Sequence, residues 1–252
     1  MGIREVRCVP TSSEILAKHE LEHILKCEIK YRDKPDLSCV IENNYIGIEV
    51  TEAHIPNVTE FYNQKDKNNR EYYANKFNNS DLAKNFGAKL DSQYELFITD
   101  TNIALYAIKK AVDKKIKKSY TKFDKLWLVV YYDISLHYLD IIKDKIRNIH
   151  SGQYEKIFII GYSDGSVYEV YNHNIQIYKA FISNKNDDLK KLVIKTYLDL
   201  LPDSDIELRR YLIGLLARKS YDAKTYINNM KLDKNSINHM IRKYDGINNF
   251  LK

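Results

Sequence analysis

This chain has little with which to cross-link itself, cross a bilayer or hold a common cofactor. Its 252 residues contain three cysteines, Cys8, Cys27 and Cys39. Their odd number and wide spacing argue against a disulfide framework or a thiolate zinc site, and predict reduced thiols in a cytoplasmic protein. No apolar run approaches the roughly 20 residues of a membrane span. The opening Met1-Gly-Ile-Arg-Glu-Val-Arg-Cys8 has no signal-peptide core, so no membrane partner is expected. A Walker sequence, a nucleophile elbow and a dinucleotide fingerprint are all missing. Of the seven histidines only His19 and His23 stand at helical i, i+4 spacing. Without the glutamate of a zinc-protease motif or a third ligand, that pair reads as surface.

The charge is nearly balanced. Forty Lys and Arg against 34 Asp and Glu leave +6, a mild bias compatible with a polyanionic partner. The 21 tyrosines read mainly as amphipathic residues at core edges.

The richest stretch is Lys34-Pro-Asp-Leu-Ser-Cys-Val-Ile-Glu-Asn-Asn-Tyr-Ile-Gly-Ile-Glu-Val-Thr51. Two apolar-rich runs flank Asn43-Asn44, residues that tolerate positive φ, so the segment predicts a β-hairpin closed by a type I′ turn. That register sets Glu42 opposite Tyr45, Ser38 opposite Glu49 and Asp36 opposite Thr51. Leu37, Cys39, Ile41, Ile46, Ile48 and Val50 then share one apolar face that must be buried. The other face carries Asp36, Ser38, Glu49 and Thr51. Asp36 and Glu49 become diagonal neighbours about 7–8 Å apart, close enough to reach one divalent cation.

Around the hairpin the periodicity predicts a helix from Thr11 to Tyr31, opened by a Thr11-x-x-Glu14 capping box. Polar helical pieces follow over Glu60–Asn78, then a short strand over Tyr94–Ile98 and a strong helix over Thr101–Tyr120. Phe123–Tyr132 and Lys156–Gly161 are nearly continuous apolar strands of a sheet covered on both faces, with a helix over Ile134–Ile149 between them. This spacing predicts a right-handed parallel crossover. Asp164-Gly165 turns the chain back into a strand over Val167–Tyr171. From Asn186 on, only helices are expected. The result is an α/β core with a mixed sheet over residues 1–183, and an all-helical region over 184–252.

The order helix–β–β–β–α–β, with Pro35-Asp36 opening one strand and Ile48-Glu49-Val50 in the next, resembles the PD-(D/E)XK nuclease superfamily over roughly residues 11–171. The resemblance implies a restriction-endonuclease-like core in which Asp36 and Glu49 hold Mg²⁺ or Mn²⁺ beside a scissile phosphate. It implies DNA as partner, and it allows a homodimer that cuts both strands. The customary lysine two positions after the glutamate is replaced by Thr51, a neutral hydroxyl that cannot neutralise developing charge. The variant Ile-Gly-Ile-Glu-Val-Thr-Glu looks like that of bacterial and phage proteins, which points to restriction or defence against mobile DNA.

A replacement cation is expected from the helix after the hairpin. Its apolar face gathers Ala104, Ala107, Ile108, Ala111 and Val112; Lys115 projects near the middle of that face and Lys118 at its edge, while Lys114 and Lys117 point towards solvent. A lysine in an apolar stripe needs a partner or a route to water, and a carboxylate pair on the sheet would suit it. Superfamily members often add an acid from the first helix; Glu14 and Glu28 have the right facing, with Glu22 in reserve. In the C-terminal region, residues 222–244 resemble a helix-turn-helix, in which Lys234 and Asn235 would face the major groove and Arg242 and Lys243 would reach phosphates. Two readings follow. One is a metal-dependent nuclease acting on DNA; the other is a non-catalytic DNA-binding protein that relies on its C-terminal helices.

Overall fold

The computed structural model describes residues 10–64, 66–90, 96–98, 100–132, 139–161, 166–180 and, further on, 192, 194–196, 198 and 199. The chain divides into two compact units, Glu20–Phe181 and Met1–His19 with Ile182–Lys252. The described residues between 192 and 199 are helical. The candidate helix-turn-helix at 222–244, with Lys234, Asn235, Arg242 and Lys243, lies outside the described residues, as does the Asp164-Gly165 turn.

The larger unit is built on a mixed seven-stranded sheet flanked by helices, with strand order β1-β2-β3-β6-β7-β8-β9. Helix α1 (Ser12–Leu25) precedes β1 (Lys30–Tyr31), β2 (Leu37–Ile41) and β3 (Asn44–Ala53). Three short helices follow: α2 (Val58–Asn63), α3 (Lys67–Asn78) and α4 (Asp81–Asn85). A separate two-stranded ribbon pairs β4 (Ala88–Leu90) with β5 (Leu96–Ile98). Helix α5 (Asn102–Ile116) leads into β6 (Lys125–Tyr132), α6 (Leu139–Ile146), β7 (Lys156–Gly161), β8 (Ser166–Tyr171) and β9 (Asn174–Lys179). Strand β6 lies parallel to both β3 and β7, and the remaining pairs of the sheet are antiparallel.

Three departures from expectation concern the hairpin and the elements beside it. The first helix stops at Leu25 instead of Tyr31, because Lys26 takes a left-handed conformation (φ 54°). The freed chain supplies β1, so Glu28 leaves the helix and is exposed. Second, the strand expected over Tyr94–Ile98 joins the small ribbon and not the main sheet. The third strand of the hairpin sheet is β1, whose two residues are too few to show any alternation. Third, the hairpin turns one residue early, at Glu42-Asn43, both at positive φ (50° and 63°) as a type I′ turn requires. Asn44 pairs with Ile41 instead, and its side-chain amide donates to the carbonyls of Glu42, at 3.2 Å, and Ile41, at 3.4 Å.

The early turn moves the pairing by two residues, so Leu37 faces Ile48 and Ser38 faces Gly47. A two-residue shift preserves which side chains share a face. Leu37, Cys39, Ile46, Ile48 and Val50 are all buried on the apolar side, as expected. Continuing this register by one pair sets Asp36 directly opposite Glu49, closer than the diagonal placement expected.

The face that carries Glu49 also carries Leu128, its partner on β6, and Ile157, the next on β7. These belong to a core that includes Ala104, Ala107, Ile108, Ala111 and Val112 of α5 and Ile142 and Ile146 of α6. The apolar stripe of α5 therefore packs as its periodicity predicts. Among the described residues no helix is long and apolar enough to cross a membrane.

Candidate active site

Glu49 is a charged residue in the middle of the sheet, with its side chain only 2 % exposed. Burying a carboxylate costs several kcal/mol unless donors replace its water, and three donors do so. Lys115 Nζ and Lys118 Nζ each lie 2.5 Å from Oε1, and the Tyr120 hydroxyl donates to Oε2. Lys115 comes from the last turn of α5. Lys118 and Tyr120 come from the segment just past the helix end, where the Lys118 N–H closes onto the Lys115 carbonyl at 3.0 Å.

Asp36 stands at the entrance to β2. Its Oδ2 accepts the Val50 N–H at 2.7 Å, beyond the last ladder pair of β2, Leu37 with Ile48. The carboxylate thus takes a β3 backbone donor next to Glu49. Lys118, Tyr120 and Tyr154 each feel the charge of both Asp36 and Glu49, which places the two acids in one neighbourhood. Two carboxylates and two ammonium groups make that neighbourhood electrically neutral in sum.

The titration behaviour follows from this geometry. Burial would raise the pKa of Glu49, but the hydrogen bonds from Lys115, Lys118 and Tyr120 outweigh it and hold the carboxyl below its ordinary value. Burial opposes the charge on Lys118, yet its bond to Glu49 wins and its pKa is raised. Tyr120 is pushed up by burial and then by its bond to Glu49, so it remains a phenol. Burial, followed by the charge of Glu49, likewise pushes Tyr154 up; its hydroxyl donates to the Lys115 carbonyl at 3.2 Å.

Asp36 and Glu49 offer oxygen ligands, the type that magnesium and manganese take, and Mg²⁺ usually draws only one or two carboxylates from a protein. The pair fits that chemistry. No group of three or more His, Cys, Asp or Glu assembles among the described residues, so a third protein ligand is not supplied there. Lys115 and Lys118 place cations beside the acids, where Thr51, half-buried on β3, cannot. Glu14 is engaged in its capping box: Oε2 accepts the Thr11 N–H at 2.8 Å, and its own N–H donates to Thr11 Oγ1 at 3.3 Å. Glu22 accepts the Ile29 N–H at 3.0 Å and holds the turn after α1. Tyr120 and Tyr154 carry no sequence signal beyond their places, one at the predicted end of the helix after the lysine run and the other just before the strand at Lys156.

Comparison with family models, curated proteins and solved structures finds no match to this chain.

Proposed function

We propose that this protein is a metal-dependent nuclease that hydrolyses phosphodiester bonds in DNA on a restriction-endonuclease-like core. The observation that carries the reading is the convergence of Lys115 and Lys118 on Glu49, beside Asp36, at the place where Thr51 removes the customary strand lysine. Hydrolysis adds water to phosphorus and breaks one P–O bond, so negative charge grows on the phosphoryl oxygens and on the leaving oxygen. Asp36 and Glu49 would hold a divalent cation, which when bound supplies Lewis-acid stabilisation of that charge and a more acidic water. Lys115, its side chain 13 % exposed, keeps Glu49 ionised and oriented. Lys118, 48 % exposed, reaches solvent and can turn to a phosphate oxygen. Tyr120 fixes the second oxygen of Glu49 without giving up its proton.

A non-catalytic DNA-binding protein is the second reading, favoured by the engagement of both Glu49 oxygens by protein donors. One experiment separates the two: supercoiled plasmid and end-labelled oligonucleotides are incubated with the purified protein in Mg²⁺, Mn²⁺ or EDTA. The nuclease reading expects cleavage in metal that disappears in EDTA and in Asp36→Ala and Glu49→Gln proteins of unchanged circular dichroism. DNA retained but uncut in either metal would overturn it in favour of the binding protein.

A further inference from the structure

A second group of residues lies on the same face of the hairpin, further along β3, and none of them is needed to hold Glu49. Tyr45, Gly47 and Glu49 alternate on that face, as do Val40 and Ser38 opposite them. A strand rises about 3.3 Å per residue, so Tyr45 stands about 13 Å from Glu49 along β3. The interval is floored by Phe123 and Pro35. A methyl group on Gly47 would come within 2.8 Å of each of them, so the absence of a side chain there lets both rings settle onto the strand. Phe123 also stacks on Tyr45, with ring centroids 4.6 Å apart and planes inclined by 28°, and the Tyr45 N–H is held by Asp124 Oδ2 at 2.7 Å.

Arg32 completes the strip. Its guanidinium carbon lies 5.6 Å from the Tyr45 ring centroid, and its Nε donates to Ser38 Oγ at 3.1 Å. Ser38 is the next residue on this face of β2 after Asp36, so Arg32 sits between the aromatic pair and the carboxylates. Arg32 is exposed, Tyr45 and Phe123 are half-buried, and Val40 beside Tyr45 is 61 % exposed. Lys34 and Lys122, the chain neighbours of Pro35 and Phe123, are both exposed. Planar groups in series with cations beside them match what a single strand offers: bases with two open faces and a phosphate at every step. A duplex hides those faces in its own stack and cannot use Tyr45 or Phe123 in this way.

We propose that Arg32, Tyr45 and Phe123 form a stacking subsite for an unpaired base of single-stranded DNA, and that the strip leads the strand to the Asp36–Glu49 site. The inference rests on the nuclease reading for its direction, but the strip itself requires neither metal nor cleavage. Its test is therefore binding of fluorescein-labelled single-stranded and duplex oligonucleotides to the full chain in EDTA, read by anisotropy across a salt series. The single strand should bind more tightly than the duplex. Tyr45→Leu, which keeps an apolar body against Phe123, should weaken single-strand binding about tenfold, and Tyr45→Phe should bind as the parent does. Arg32→Met, at an exposed position, should weaken binding and lower the salt slope by about one. Equal or tighter binding of the duplex, tighter binding of an RNA strand of the same sequence, or parental binding by Arg32→Met would each overturn the proposal. Binding that follows the expected pattern without cleavage in Mg²⁺ or Mn²⁺ would sink the nuclease reading alone; cleavage with an inert strip would sink this inference alone.

Discussion

Glu49 and Glu169 are both glutamates buried in strands of one sheet, and both are met by lysine and tyrosine, yet their surroundings differ in what they leave open. Glu169, on β8, belongs to the opposite face, since it pairs through Phe158 and Val129 with Val50. Lys156 Nζ lies 2.6 Å from one of its oxygens and the Tyr178 hydroxyl 2.7 Å from the other. The same ammonium stands 5.2 Å from the Trp127 ring centroid and 5.4 Å from that of Tyr171. Glu169 itself is in contact with one cation, and the Trp127 and Tyr171 rings stand beside that cation. Burial pushes the Tyr178 phenol up to about 12, with the bond to Glu169 adding to it. Around Glu49 there are two cations and a second carboxylate, and one of the cations is half exposed. A buried ion pair by itself therefore says little about function; the surplus of charged partners with a route to solvent separates the two sites.

Removing either glutamate is the strongest way to break that contrast. Glu49→Ala should lose about 3–5 kcal/mol of stability, because the nearly buried Lys115 is left without its hydrogen-bonded carboxylate, and Glu169→Ala should lose less, because Lys156 is 24 % exposed, as read from urea unfolding. Only Glu49→Ala should also abolish cleavage. If Glu169→Ala, assayed while folded, is equally inactive, the two sites are not distinct in function. Next in size, Lys115→Met should lower the cleavage rate about 100-fold or more while KM changes little, because Glu49 loses the donor that keeps it ionised and oriented. A rate within a few-fold of the parent would remove Lys115 from the chemistry. Tyr120→Phe and Tyr178→Phe should each cost about 1.5–3 kcal/mol, the usual range for a hydrogen bond to a charged group, and here the two sites should behave alike.

The pH dependence sharpens the comparison further. The carboxyl of Glu49 titrates lower in the folded protein than in the unfolded chain. Its contribution is therefore fully present above the unfolded value of about 4.3 and is lost as pH falls through the depressed folded value. Urea midpoints measured downward from pH 6 should fall more steeply for the parent than for Glu49→Gln, and parallel curves would contradict the assignment. The smallest effect is expected at Thr51. Thr51→Ala should change the cleavage rate by no more than about twofold, in line with positions that carry no special interaction.

The sheet face of Asp36 and Glu49 was legible because alternation in a hairpin has only two outcomes, and the wholly apolar face had to go inward. The turn position was less legible. Glu42-Asn43 and Asn43-Asn44 differ by one residue, and the choice rests on the side-chain amide of Asn44 and on the cross-strand fit of Val40 with Tyr45, which local sequence does not weigh. Lys115 could be singled out because a lysine among Ala107, Ile108, Ala111 and Val112 stands out against a helical stripe. Lys118 does not have the helical facing that periodicity predicts for it, since α5 ends at Ile116. It reaches Glu49 because the chain folds back after the helix. The two residues of β1 and the outer strand β9, whose side chains are mostly exposed, carry no periodic signal strong enough to read. The turn into β9, Asn172-His173, shows its character only in its backbone, with φ at 48° and 62°.

On the proposed nuclease reading, a cation supplied by α5 in place of β3 has its position controlled by packing and not by covalent geometry. A lysine at the place of Thr51 would follow Glu49 wherever the strand went, two residues away along one pleat. The ammonium of Lys115 instead travels with a helix, and its distance from Glu49 depends on how deeply Ala104, Ala107 and Ala111 let that helix settle against the sheet. Bulkier residues at those alanines would lift that ammonium away from Glu49, so the accuracy of the pairing is held in its oil.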